Sequence, residues 1–288
     1  MLLDSRPAAW PSAVWTGWLP ILIAAAAWPG PVHAQGKLEA RYGITFARIS
    51  VGDVSMTVDL TENDYTVEMT GRAGGVVRML VNGEASMRAR GDIKDGHPTP
   101  RSFTSEIRSE GESQSVTMAI EESNVAELTV IPPPGDPSLV VPEAVRRGIV
   151  DPLTAMLVPA EAAAADLSQD ACRHTLAIFD GRHRYDLKLT FKRMDKVSAE
   201  KGYAGPAVVC GLSLHPIAGH RASEALVKYL SEGREIELVL APVAGTRVLV
   251  PFGLSIPSAL ANLVIWPSHF EAITPSPAAP AGADPKPP

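Results

Sequence analysis

Between Tyr42 and Phe270 apolar and polar residues alternate repeatedly at period two, and such a pattern builds strands with one wet face. Val54, Met56, Val58 and Leu60 fall on one side, and Ser55, Thr57 and Asp59 on the other. Tyr65, Val67 and Met69 repeat the pattern, as do Val116, Met118 and Ile120. Tyr185, Leu187, Leu189 and Phe191 are set against Arg184, Asp186, Lys188 and Thr190. In this last set the four apolar residues are expected inside, and Arg184, Asp186 and Lys188 outside. Further candidate strands cover Tyr42–Ile49, Ala85–Gly91, Arg101–Arg108, Val125–Ile131, Cys172–Phe179, Ala207–Ile217, Arg234–Leu240, Thr246–Ile256 and Leu260–Phe270. Turn chemistry sits between them. Gly52-Asp53 is expected to link the first two strands, followed by turns at Glu62-Asn63-Asp64, Asp95-Gly96, Asp180-Gly181 and Gly245. About thirteen strands, many of roughly seven residues, make a long antiparallel meander. A sheet of that length must curl. The expected fold is therefore mainly β, an open or closed barrel or spiral with one or two short helices.

One break interrupts the alternation. Ile131 to Pro142 is proline-rich and reads as a crossing loop. Asp151-Pro152 then offers an N-cap and an N1 proline ahead of Leu153, Met156 and Leu157, with Ala160–Ala165 as a further helical stretch. Gly74–Val81 is ambiguous between helix and strand.

The two ends read as something other than fold. Arg6 precedes an apolar run from Ala13 to Trp28, then comes Pro29-Gly30-Pro31, and Val32-His33-Ala34 presents small residues at a cleavage position. This is the secretory pattern, so residues 1–34 are expected to be a cleaved signal peptide. Residues 35–274 are then a single β-rich periplasmic domain. Residues 275–288, mostly Pro, Ala, Gly and Ser, form a disordered tail. No mature segment is apolar and long enough for a transmembrane helix. The 26 Lys and Arg against 32 Asp and Glu leave a net charge of −6, which disfavours nucleic acid as a partner. The two cysteines, Cys172 and Cys210, are most simply a disulfide in an oxidising compartment, closing a loop worth roughly 4 kcal/mol of unfolded-state entropy.

Catalytic motifs are sparse. Gly71-Arg72-Ala73-Gly74-Gly75 lacks the Lys-Ser/Thr of a phosphate loop. Gly211-Leu212-Ser213-Leu214-His215 begins like a nucleophile elbow, but His215 stands where a glycine is needed. His174, His183, His215 and His220 lack the spacing of a metal site. The densest group is Phe179 to Asp186, with a second cluster at Pro216 to Arg221. Together Asp180, Arg182, His183, Arg184, His220 and Arg221 form a candidate cluster for an anionic ligand. No catalytic residue, metal or cofactor is assigned.

The residues around the cysteines resemble a known family. Ile178-Phe179-Asp180-Gly181-Arg182-His183-Arg184-Tyr185-Asp186, then Tyr203-Ala204-Gly205-Pro206-Ala207-Val208-Val209-Cys210, then Pro216-Ile217-Ala218-Gly219-His220-Arg221 look like the proteobacterial envelope family known as domain of unknown function 3108. Ala241-Pro242-Val243 with Gly245-Thr246-Arg247 and Val250-Pro251 fit the same pattern. The resemblance spans Tyr42 to about Phe270. It implies export and a β-rich fold, and no reaction. In architecture alone the chain is similar to lipoprotein-carrier half-barrels and β-spiral envelope proteins.

The expected role is that of an exported periplasmic protein binding or scaffolding a lipid, an acyl chain or an envelope-protein segment. The concave wall would be Val54, Met56, Val58, Tyr65, Val67, Met69, Met87, Val116 and Met118. Two rivals stand beside it: a periplasmic hydrolase using the histidine-bearing loops, and an outer-membrane barrel.

Overall fold

The computed structural model describes residues 35–75, 83–160, 167–221, 225–231, 235–258 and 261–273. The expected signal peptide, the proline tail, the ambiguous stretch beyond Gly75 and the alanine run after Ala160 lie outside the described residues.

Alternation is realised as strands that pair by simple hairpins. The first group is β1 (Gly36–Phe46), β2 (Ile49–Leu60), β3 (Asp64–Ala73), β4 (Gly83–Lys94), β5 (His97–Ser109), β6 (Glu112–Glu121) and β7 (Asn124–Ile131). A crossing segment carries short 3-10 turns and the two-residue β8 (Val158–Pro159). The second group is β9 (Thr175–Phe179), β10 (Arg184–Ser198), the two-residue β11 (Lys201–Gly202), β12 (Ala204–Ala218), β13 (Ile236–Pro242), β14 (Val248–Ile256) and β15 (Leu263–Ile273). All fifteen belong to one sheet, in the spatial order β7-β6-β5-β4-β3-β2-β1-β15-β14-β13-β12-β10-β9, with β8 added to β14 and β11 to β15. The chain meanders outward to one edge, crosses to the other, and returns until β15 lies antiparallel beside β1.

The ladder does not close, because β7 and β9 both end it. The crossing segment lies between these edges and satisfies part of both. On one side the Val125 amide donates to Arg146 O and the Ile149 amide to Ser123 O. On the other, the Val150 amide donates to Ala177 O and the Phe179 amide to Val150 O. Arg182 adds a tie, its Nη2 donating to Ile131 O at 3.1 Å and Pro132 O at 3.0 Å. Open strand edges invite pairing with other chains, and covering them is the usual remedy.

The buried face of the first group is the expected one. Met56, Val58, Leu60, Tyr65, Val67, Val116, Met118 and Ile120 join Ala89 and Phe103 in the main core. The opposite face is charged, with ion pairs Asp53–Arg72, Glu68–Arg88 and Asp64–Arg101. A barrel embedded in lipid shows an apolar band there instead. The turn at Asp180-Gly181 reaches the concave side of β6, where a Cβ on Gly181 (φ +95) would lie 2.2 Å from Val116 Cγ1.

Several expectations need correction. The first two strands turn at Ala47 and Arg48, both at positive φ. Gly52 and Asp53 instead lie inside β2, where a Cβ on Gly52 would meet the Arg72 carbonyl oxygen at 2.8 Å. Many strands are longer than seven residues: β2 and β4 have 12, β10 and β12 have 15. Cys172 closes a 3-10 turn, Gln169–Cys172, and the following strand starts only at Thr175. Leu189 is buried and Lys188 exposed as expected, but Phe191 is 40% exposed. Its strand bulges only after it, where pairing to β12 passes from Phe191 directly to Arg193. Arg184 and Asp186 are half-buried because they pair with each other at 2.6 Å. A helix, α1 (Ala225–Ser231), was not anticipated. Among the described residues no helix is long and apolar enough to cross a membrane.

The crossing segment is anchored by Asp151, which is fully buried. Its Oδ1 accepts from the amides of Leu153 and Thr154 at 2.9 and 3.0 Å, and its Oδ2 accepts from the Thr154 hydroxyl. Thr154 Oγ1 in turn meets Tyr65 Oη on β3 at 2.6 Å. Asp151 thus holds the entry to the segment, but it is not the N-cap: the helical element there is a 3-10 turn, Thr154–Met156, whose N-cap is Leu153.

Candidate functional site

The Cys172–Cys210 disulfide forms, with Cα atoms 5.4 Å apart. It pins the 3-10 turn before β9 onto β12, and both half-cystines are buried in a second core cluster with Val158, Leu189, Val208, Leu240 and Leu249. A wholly apolar wall results on the inner side of the second strand group.

Next to this wall lies an apolar cavity of about 300 Å³. Its sides come from both strand groups. The second group gives most of them: Leu176 and Ile178 on β9, Leu187 and Leu189 on β10, Leu212 on β12, Leu238 and Leu240 on β13, and Leu254 on β14. The first group adds Tyr42, Val54, Met56 and Met69, and the crossing segment contributes Pro152, Ala155 and Met156. Pairing explains the alignment, since Leu187 faces Leu214 and Leu189 faces Leu212 across β10 and β12, while Leu254 faces Ile265 across β14 and β15. Opposed residues in antiparallel strands project from the same face.

The nine residues expected to form the concave wall divide. Val54, Met56 and Met69 line the cavity. Val58, Tyr65, Val67, Val116 and Met118 are at most 4% exposed and belong to a filled core, with Met87 packed against it. The cavity therefore owes more to leucines of the second group than to methionines of the first, and periodicity gave no sign of this.

Two phenols touch the cavity. Tyr42 Oη donates to Pro251 O at 2.7 Å, and burial raises its pKa. Tyr185 belongs to the same lining. Burial, and after it the charges of Asp180 and Asp151, push its phenol pKa upward. The ring of Tyr185 meets His220 edge-on at 6.2 Å, and His220 stacks on His183 at 4.8 Å.

Tyr185 thus leads from the cavity to the charged cluster of the sequence analysis. Pairing of Arg184 with Ala218 brings the two histidine-bearing loops together. Within the cluster, Asp180 Oδ1 accepts from the amides of Arg182 and His183, and Asp180 Oδ2 lies 3.0 Å from His183 Nδ1. Burial pushes the Asp180 carboxyl up, yet His183 and the two amides together outweigh it and hold the pKa below the ordinary value. Arg182 is spent on the Ile131 and Pro132 carbonyls, and Arg184 Nη1 on Asp186 and Tyr185 O, while the buried Arg184 Nε has no partner among the described residues. Arg221 is exposed and its charge helps hold down the Asp136 carboxyl, chiefly lowered by Ser138. Ser213 pairs in register with Lys188, and the exposed His215 with Asp186. Among the described residues no three His, Cys, Asp or Glu side chains group as a metal site would require.

The fold and site define an open, curled antiparallel sheet with a disulfide-backed apolar cavity. The chain belongs to the family described as "Protein of unknown function (DUF3108)", which matches residues 41–259. No curated protein matches the chain. A solved structure, described as a beta-barrel-like protein of domain of unknown function DUF1849 from Brucella abortus, is similar at 9% sequence identity and a TM-score of 0.47, covering 82% of this chain and 98% of that one.

Proposed function

We propose that this chain is an exported envelope protein that holds a lipid or acyl chain, without transforming it, in the cavity between its two strand groups. The cavity carries this reading. Its volume of about 300 Å³ lies at the lower end of ligand-binding pockets. An empty void of that size forfeits on the order of 7 kcal/mol at the cost per volume seen for core cavities. That is comparable to the whole net stability of a domain. A lining almost without polar atoms holds water poorly and apolar molecules well. The disulfide supports an oxidising compartment, and with it the reading of residues 1–34 as an export signal.

Two measurements test the proposal. The full chain, produced with its leader and recovered from the periplasm without detergent, is analysed by native mass spectrometry and solvent extraction. The mature protein is expected to start at Gln35 and to release an alkyl-containing molecule. In parallel, uptake of the apolar fluorophore N-phenyl-1-naphthylamine is titrated against wild type, Met56→Arg and Leu176→Trp. Saturable uptake, weakened at least about tenfold by a charge or a bulky ring in the cavity, supports the reading. Absence of uptake, or uptake indifferent to both substitutions in folded protein, overturns it.

A further inference from the structure

We infer that the cavity selects a single chain of about ten carbons with an uncharged, carbonyl-bearing head, an ester or amide, held through the Tyr185 hydroxyl. This rests on the alkyl-binding reading above and narrows it.

Chain number and length follow from volume. A methylene occupies roughly the space of a water, about 30 Å³. A cavity of about 300 Å³ therefore takes one chain and has no room for a second. Selection by head group follows from the polar atoms within reach. Of the two cavity phenols, Tyr42 is already committed to Pro251 O. The Tyr185 ring sets its edge on His220. Its hydroxyl has no hydrogen-bond partner among the described residues. A half-buried tyrosine in the lining of an apolar cavity is suited to an acceptor that the ligand brings.

The surroundings of Tyr185 decide the charge of that acceptor. Asp180 lies beside His183, whose ring stacks on His220, the edge partner of Tyr185. The cations of the same cluster are committed in part: Arg182 to Ile131 O and Pro132 O, Arg184 through Nη1 to Asp186, and His183 to Asp180, while the buried Arg184 Nε has no partner among the described residues. A carboxylate head would lose its hydration inside a lining that is almost wholly apolar. An ammonium head would also lose hydration. It would find Asp180 already accepting from two amides and His183, and would bring no acceptor for Tyr185. An ester or amide carbonyl accepts one hydrogen bond and carries no charge.

Displacement of bound N-phenyl-1-naphthylamine from the full chain tests this with methyl decanoate, decanoate, decylammonium and methyl palmitate, on wild type and Tyr185→Phe. Methyl decanoate is expected to displace the probe at a concentration at least about tenfold lower than either charged compound, and to outcompete methyl palmitate. Tyr185→Phe should weaken methyl decanoate about fivefold more than it weakens the fluorophore, the loss of one hydrogen bond. Decanoate or decylammonium equalling the ester, methyl palmitate binding as tightly, or an ester affinity indifferent to Tyr185→Phe would each overturn the inference while the apolar-carrier reading stands. No uptake of the fluorophore by wild type would instead remove that reading, and this inference with it.

Discussion

Gly181 offers a sharp test of how the sheet folds onto itself. The turn between β9 and β10 meets β6 only because the two ends of the sheet curl toward each other. Gly181→Ala is expected to incur two costs. One is the positive φ of +95, worth about 1–2 kcal/mol for a residue with a Cβ. The other is a new methyl 2.2 Å from Val116 Cγ1 and 3.1 Å from its Cγ2. Valine cannot rotate away cheaply, so this overpacking adds about 1–3 kcal/mol. Val116→Ala alone should cost about 2 kcal/mol from two buried methyls. In the double variant the methyl meets only the former Val116 Cβ, 3.2 Å away, so the clash mostly disappears while the φ strain remains. Urea unfolding of the four proteins should give a favourable coupling of about 1–3 kcal/mol. Additivity within about 0.5 kcal/mol would mean that the turn and β6 do not touch, and the described curl would be wrong.

Two further expectations follow from buried groups. Replacing both Cys172 and Cys210 by alanine should lower stability by about 3–4 kcal/mol, the loop-entropy value, as read from the shift of the urea midpoint; an unchanged midpoint would deny the disulfide a structural role. Asp151 titrates with the sign opposite to that of a surface carboxylate. Burial raises its pKa against the hydrogen bonds of Thr154 and Leu153, so its stabilising contribution is complete below the unfolded value of about 3.9 and declines as pH rises through the folded value. Asp151→Asn should therefore gain stability relative to wild type between pH 4 and pH 8; a relative loss over that range would contradict the assignment.

Much of the architecture was legible in the residues because strand pairing here is local. Asp95-Gly96, Asp180-Gly181 and Gly245 all sit at turns with a glycine at positive φ, and each hairpin follows from its neighbours. The proline-rich break before Asp151 marked the crossing between the strand groups. The turn at Ala47 and Arg48 was not legible, because neither residue type favours positive φ. Gly52 misled for a related reason, since a glycine needed for close approach of Arg72 O looks the same in sequence as a turn glycine. Phe191 pairs with Cys210 in the same register as Leu189 with Leu212, and the bulge at Lys192 comes only after it, so the pairing does not explain its exposure. The cavity escaped for a deeper reason. Leu176, Leu212, Leu238 and Leu254 come together only through the sheet's curl, and alternation reports which face a residue occupies without saying whether that face is filled.

The central claim is that the cavity admits an alkyl chain, and the methionine methyl groups report on it directly. Met56, Met69 and Met156 line the cavity. Met118, 1% exposed, sits in the filled core, and Met194, 45% exposed, lies outside. With ¹³C-methyl-labelled methionine in the full chain, two-dimensional NMR during titration with methyl decanoate should shift Met56, Met69 and Met156 saturably and leave Met118 and Met194 in place. Shifts confined to Met194, or no shift at any methyl while the protein remains folded, would contradict the account.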